Sequence, residues 1–175
     1  MVVELVLPDL RYADSWIEAV REFGGTTMHG SGLWDLTADH ASVETLAARV
    51  PVLLEQSDHA TALPEGRVHS DYWWMVEDEE FVGYLAIRHQ LTDLLLQEGG
   101  HIGYAVRPSR RGRGHATRAL TLALGRAREL GLERVLLTCE EGNTASARTI
   151  ERNGGVWEDS RRGRRRYWID LASDE

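Results

Sequence analysis

Residues 105–120 read AVRPSRRGRGHATRAL, and their types and spacing suit the binding of a phosphorylated ligand. Arg107, Arg110, Arg111, Arg113 and Arg118 fall within twelve positions that contain no acid. Gly112 and Gly114 let the backbone turn its N–H groups toward an anion. The helix expected from His115 onward adds the positive end of its dipole. Neither the G-x-x-x-x-G-K-[ST] order of a P-loop nor the G-x-G-x-x-G order of a dinucleotide site occurs in this stretch, so a different pyrophosphate ligand is implied. The alternative is a solvated basic turn. A strand directly before the loop and an amphipathic helix directly after it argue for the phosphate site.

Those flanking elements are legible in the pattern. Ala116, Ala119, Leu120, Ala123, Leu124 and Ala127 recur at helical spacing up to Gly131, and residues 101–107 alternate as a strand. Upstream, a strand is expected over 2–7, a helix over 10–23 stopped by Gly24-Gly25, and a loop over 24–37. A second helix is expected over 41–56, interrupted or kinked by Pro51. DYWWMV and FVGYLAIRHQL flank the acidic turn 77–80 as a hairpin. Downstream come a strand at 134–139, a helix over 144–153 capped by Asn143 or Thr144, and a last hairpin turning near Gly163. The order β, α, α, β, β, β, α, β, α, β, β is that of an α/β sandwich.

The chain has 175 residues, 42% hydrophobic and 27% charged, which fits a single domain over residues 1–175. Cys139 is the only cysteine, so a disulfide framework is excluded. Glu4, Pro8 and Asp9 break any signal-peptide core, and a soluble, cytoplasmic protein is expected, with no membrane partner. The net charge of −8 is uneven. Residues 1–100 carry 18 acids against 5 arginines, a balance of −13; the remainder carries 10 against 15, a balance of +5. One half is therefore suited to an anion and the other to a cation.

Arg111, Gly114 and Ala116 match the form [QR]-x-x-G-x-[GA]. Val106 stands five residues before Arg111 with Pro108 between, as in V-x-P-x-x-R-G-x-G. With Asn143 and the order of elements, these residues resemble the GNAT superfamily of N-acetyltransferases over nearly the whole chain. The resemblance implies an α/β GNAT fold, with a central mixed, mostly antiparallel β-sheet flanked by helices. It also implies acetyl-CoA as co-substrate and no metal. By similarity, the backbones of Ala105 and Val106 would bond the pantetheine arm and the acetyl carbonyl. Arg111, Gly112, Arg113, Gly114, His115, Ala116 and Thr117 would wrap the pyrophosphate. Asn143 would bond the arm near the sulfur, with Ser146 beside it; helix capping is Asn143's other role, and the two can coexist.

Acetyl transfer to an amine requires the acceptor nitrogen to be neutral. Many family members carry an acidic Tyr seven residues after the Asn, where this chain has Ile150. The candidates that remain are His101 as a base and Tyr104, which shares the strand parity of Val106. His101 has the opposite parity unless a bulge beside Gly99, Gly100 and Gly103 reverses it. Glu98 is a weaker base acting through water. Cys139 reads as a small core residue, with an acetyl-cysteine as the alternative.

In the family the acceptor enters over the N-terminal helices, here the acidic half. Trp73, with Trp34, Tyr72 and Trp74, would form a cation–π wall or fill the core. Arg88 and His89 would instead hold an acceptor carboxylate. The expected reaction is acetylation of a small-molecule primary amine of polyamine, amino-acid or amino-sugar type. The alternatives are a protein N-terminus, a charged tRNA, or a non-catalytic acyl-CoA sensor. Arg161, Arg162, Arg164, Arg165 and Arg166 raise RNA binding as a further possibility, but few aromatics interleave them, so a nucleic-acid partner is not expected. Homodimer formation stays open.

Overall fold

The computed structural model describes residues 2–172, and its strands follow the alternation of apolar side chains in the sequence. β1 (Glu4–Val6), β2 (Ser70–Glu77), β3 (Glu80–Arg88) and β4 (Ile102–Val106) form one sheet in that order. β5 (Arg134–Glu140), β6 (Val156–Arg161) and β7 (Arg164–Asp170) form a second sheet in the order β5-β7-β6. Every ladder among the described residues is antiparallel, and the two sheets meet where β4 lies beside β5. The expectation of a mostly antiparallel sheet flanked by helices is met. The β2–β3 turn places Asp78 and Glu79 at φ 53° and 64°, the pair of positive values whose twist matches that of the strands.

Strand parity divides the interior into two cores. Met75, Val82, Leu85, Ile87 and Ile102 face α4 (His115–Glu129) and α5 (Thr144–Arg152), and Val135, Leu137 and Tyr167 of the second sheet join them. Trp74, Val76, Phe81, Tyr84 and Ala105 face α1 (Ala13–Phe23) and α2 (Val43–Glu55). α1 closes on Gly24, at φ 57°, and buries Trp16 in a stack with Trp74 at 6.5 Å between centroids. Ser42 caps α2 by accepting the Thr45 N–H at 3.1 Å. Of the interruption or kink expected at Pro51, the interruption does not occur: α2 runs through it. Proline costs a helix interior about 3 kcal/mol. Burial of Leu46, Val50 and Leu53, at about 1.5–3 kcal/mol each, outweighs it.

An unforeseen α-helix, α3 (Asp93–Gln97), has five residues and is capped by Thr92 Oγ1, which accepts the Leu95 N–H at 3.2 Å. A segment that short shows no helical periodicity. No helix among the described residues is long and apolar enough to cross a membrane.

Candidate active site

The site begins at a seam. His101 donates its backbone N–H to the Leu136 carbonyl at 2.8 Å, and its ring Nδ1 accepts the Leu136 N–H at 2.9 Å. Gly100, at φ 62°, makes this approach feasible: a Cβ there would strike the Leu136 carbonyl. Beyond this point β4 and β5 share no ladder. Arg88 N–H donates to the His101 carbonyl and Arg107 N–H to the Val82 carbonyl, so the odd residues of β4 bond β3. The backbone groups of Ile102, Tyr104 and Val106 therefore point into the gap toward β5. This corrects the expectation for Ala105, whose N–H and C=O are turned to Tyr84. Val106 keeps its expected orientation, with its carbonyl accepting Arg111 Nε at 3.1 Å.

The basic loop closes one end of the gap. Gly112 and Gly114 sit at φ 76° and 80°, with open space where a Cβ would project. Gly114 is the N-cap of α4 and offers no side chain, so the N–H groups of His115, Ala116 and Thr117 in the first turn are uncapped. Acids from other elements reduce the charge of the loop. Arg107 pairs with Glu22 at 2.8 Å and Glu18 at 3.2 Å, and Arg110 pairs with Glu80 and, at 3.6 Å, Glu77. Burial opposes the charge of Glu22, but hydrogen bonds from Arg107 and Ser109 hold its pKa below the usual carboxylate range. The ring of His115 is buried and turned to Glu77 at 3.2 Å, so it is the backbone N–H of this residue that faces the loop. Among the described residues Arg111, Arg113 and Arg118 pair with no carboxylate. The unpaired charges of Arg111 and Arg113 beside an uncapped start of a 15-residue helix, worth about half an elementary charge at its end, suit an anion, whereas Arg118 lies along α4 beside β1 and Trp73.

Across the gap, α5 presents its first turn. Asn143 caps it by accepting the Ser146 N–H at 3.1 Å, and Tyr104 Oη lies 2.7 Å from Ser146 Oγ. Burial pushes the Tyr104 phenol up to about 12, so it stays protonated at physiological pH. Ile150 is fully buried. Cys139 is buried too, its thiol pushed up by desolvation, which suits the core and not a nucleophile.

The opposite face of the gap is lined differently from expectation. His101 is corrected as a general base. Burial and the charges of Arg88 and Arg134 lower its pKa to about 4. The nitrogen left lone-paired in the neutral ring already accepts the Leu136 N–H. Trp73 is corrected as well: it lies against β1 and α4, with Arg118, Leu122 and Arg126, on the far side of the sheet from Tyr72. His89 is tied into a chain, its Nε2 to Asp71 at 2.8 Å and its Nδ1 to His59 at 2.9 Å, with Arg126 Nε donating to Asp71 at 2.7 Å. It is a strut and leaves no nitrogen for an acceptor.

Arg88 stands at the seam end, or mouth, of the gap, beside Gly103 and Gly30. Its Nη1 donates to the carbonyls of Gly99 and Gly100 at 3.0 and 2.9 Å, and among the described residues it has no carboxylate partner. Burial lowers its pKa, and Tyr72 nearby opposes that. Glu98 borders the same mouth but is paired to Arg164 at 3.4 Å. The basic patch of the last hairpin is also partly neutralised: Arg161 pairs with Asp159, and the buried Arg166 with Glu158 and Asp159. With Arg164 paired to Glu98, three of the five arginines of that patch carry a carboxylate partner, which weakens its positive footprint. Among the described residues no group of ligating side chains is placed to hold a metal ion.

One residue facing this mouth was not anticipated. Gly30, at φ 78°, presses its backbone onto β3 and β4, where a Cβ would meet the Gly103 carbonyl and, at 3.1 Å, the Ala86 nitrogen. His29 beside it senses Arg164, Glu140 and Arg88, which come from both sheets. A loop without periodicity gives no signal for such a placement; only Gly30 hinted at a close backbone approach.

A family model described as the acetyltransferase (GNAT) family matches residues 34–155. Among solved structures, RimJ of Mycobacterium smegmatis in complex with CoA-disulfide superimposes with a TM-score of 0.71 at 23% identity, covering 96% of this chain and 81% of that one. Ribosomal-protein-S5-alanine acetyltransferase of Vibrio fischeri gives 0.72 at 14% identity, over 100% and 96%. An acetyltransferase of Salmonella typhimurium that modifies the N-terminal serine of ribosomal protein L7/L12 gives 0.63 at 17%, over 98% and 96%. No curated protein matches the chain.

Proposed function

This chain belongs to the acetyltransferase (GNAT) family, and on that premise we propose that it transfers the acetyl group of acetyl-CoA to the free α-amine of a protein or peptide N-terminus. The observation that carries the reading is the gap between β4 and β5, which runs from an uncapped basic helix end to a mouth bearing Arg88. When bound, acetyl-CoA supplies an acyl group activated by a thiol leaving group. The first turn of α4 with Arg111 and Arg113 suits its pyrophosphate. The backbones of Tyr104 and Val106 face the gap and suit its extended arm, and the Val106 N–H is the donor for the oxygen on which negative charge grows. Tyr104, held by Ser146, donates a hydrogen bond to the departing sulfur. With its pKa near 12 against about 8.5 for a thiol, it stabilises the thiolate without surrendering its proton.

Arg88, half-buried and without a carboxylate partner among the described residues, suits the first peptide carbonyl beside an α-amine. The acidic first half of the chain favours a basic protein over a neutral metabolite. The names of two compared proteins point the same way, since they act on ribosomal proteins. The reading thus moves the acceptor from a small amine to a polypeptide.

The test is thiol release from acetyl-CoA with short peptides beginning in Ser or Ala, beside the same peptides with blocked α-amines, polyamines and free amino acids. Release with the free peptides alone is expected. Release with polyamines or amino acids in preference would restore the small-molecule acceptor, and acetyl-CoA binding without release to any acceptor would favour the sensor.

A further inference from the structure

The acceptor amine must lose a proton before it attacks, and the seam has sealed His101 away from that task. The remaining titratable groups at the mouth are few. Glu98 is bound by Arg164 at 3.4 Å, Glu140 stands across from Arg164 in the β5–β7 register, and Tyr72 is a buried phenol whose pKa burial raises. His29 differs from all of these. Its neighbour Gly30 is packed backbone to backbone on Gly103, in the middle of β4, and near Ala86 of β3, which fixes the loop against that strand pair, two residues from His101 of the seam. The charges of Arg88 on β3, Glu140 on β5 and Arg164 on β7 act on the His29 ring. Among the described residues its ring makes no hydrogen bond, so both nitrogens are available to solvent or substrate.

We infer that His29 is the general base that deprotonates the acceptor amine. This rests on the acetyl-transfer reading above and adds a catalytic residue to it. The α-ammonium gives one proton to the free His29 nitrogen, which passes it to water. The neutral amine then forms a bond to the acetyl carbonyl carbon, the bond from that carbon to sulfur breaks, and the electron pair leaves on sulfur. The second proton of the attacking nitrogen ends on the thiol. One proton is released overall for each acetyl group transferred.

Desolvation and the charges of Arg164 and Arg88 lower the His29 pKa, against the opposing charge of Glu140. A base of this kind is neutral at pH 7 and weak. It can take a proton from an α-ammonium, with a pKa near 8, far more readily than from a lysine ammonium near 10.4, a gap of roughly two and a half pK units or about 300-fold. Deprotonation by such a base therefore proceeds more readily at chain N-termini than at lysine side chains and polyamines, the acidity of the amine setting the ratio.

The decisive comparison is His29→Gln against the wild-type chain, assayed by thiol release with a Ser-initiated peptide from pH 6.5 to 9.5, with acetyl-CoA affinity measured alongside by calorimetry. At pH 7 kcat/KM should fall by about 100-fold, a general base's typical contribution. The deficit should close as pH passes the pKa of the peptide amine, and acetyl-CoA affinity should be unchanged. An equal loss at every pH, or no loss, would overturn the assignment while leaving acetyl transfer intact. A wild-type chain that releases no thiol with any peptide would overturn the acetyl-transfer reading and this inference with it.

Discussion

Acid should weaken this protein through His101, because that ring joins the two sheets only when neutral. Its pKa is lowered from the ordinary 6.5 to about 4 by burial and by Arg88 and Arg134. The folded value lies below the unfolded one, so the unfolded chain takes up the proton first. Stability is whole above pH 6.5 and declines as pH falls toward 4. At pH 5 the linkage amounts to about 2 kcal/mol relative to pH 7.5, or about 4–8 °C in Tm for a domain of this size. The comparison variant is His101→Asn, whose Oδ1 stands where Nδ1 accepts the Leu136 N–H and does not titrate. Urea unfolding of both proteins at pH 7.5 and pH 5 isolates the effect from the other histidines. The wild-type chain should lose about 2 kcal/mol more than the variant between those two values. Equal losses would refute the reasoning, because the seam would then be indifferent to the charge on the ring.

Arg111→Ala combined with Arg113→Ala should raise the Kd for acetyl-CoA by about 10- to 100-fold, as expected for losing charge-assisted hydrogen bonds, and should flatten its salt dependence; calorimetry at two ionic strengths checks both. Tyr104→Phe should lower kcat by about 10-fold, one hydrogen bond to a charged group. The loss should be constant across pH, since a phenol near 12 does not titrate in the working range. Gly30→Ala drives a Cβ into the Gly103 carbonyl at a positive φ, costing about 2 kcal/mol or more and lifting the loop. Its kcat/KM for peptide should drop with acetyl-CoA affinity unchanged, as steady-state kinetics and calorimetry together would read.

The residues legible in advance were those whose chemistry is local. The glycine–arginine loop, the start of α4 and the Asn143 cap lie within short stretches whose turn and capping chemistry is written in consecutive residues. Strand parity predicted correctly that Tyr104 and Val106 share a face, and that His101 lies on the other. What escaped were partnerships across the fold. Glu18, Glu22, Glu77 and Glu80 neutralise two of the five loop arginines from 30 or more positions away, and His89 is claimed by His59 and Asp71. Trp73 was misplaced for a simpler reason: in the run Tyr72-Trp73-Trp74 neighbouring side chains face opposite sides of the sheet, and the types alone do not say which side holds the acceptor. His29 carried no signal, because its position follows from Gly30 settling on β4.

The account stands most directly on one measurement: a single-turnover reaction of the purified chain with acetyl-labelled acetyl-CoA and a Ser-initiated peptide, the product sequenced by mass spectrometry to locate the label. The account predicts the label on the peptide α-nitrogen, with none on lysine side chains and none on the same peptide with its α-amine blocked. Label on lysine or on the blocked peptide, or none transferred while acetyl-CoA is bound, would contradict it.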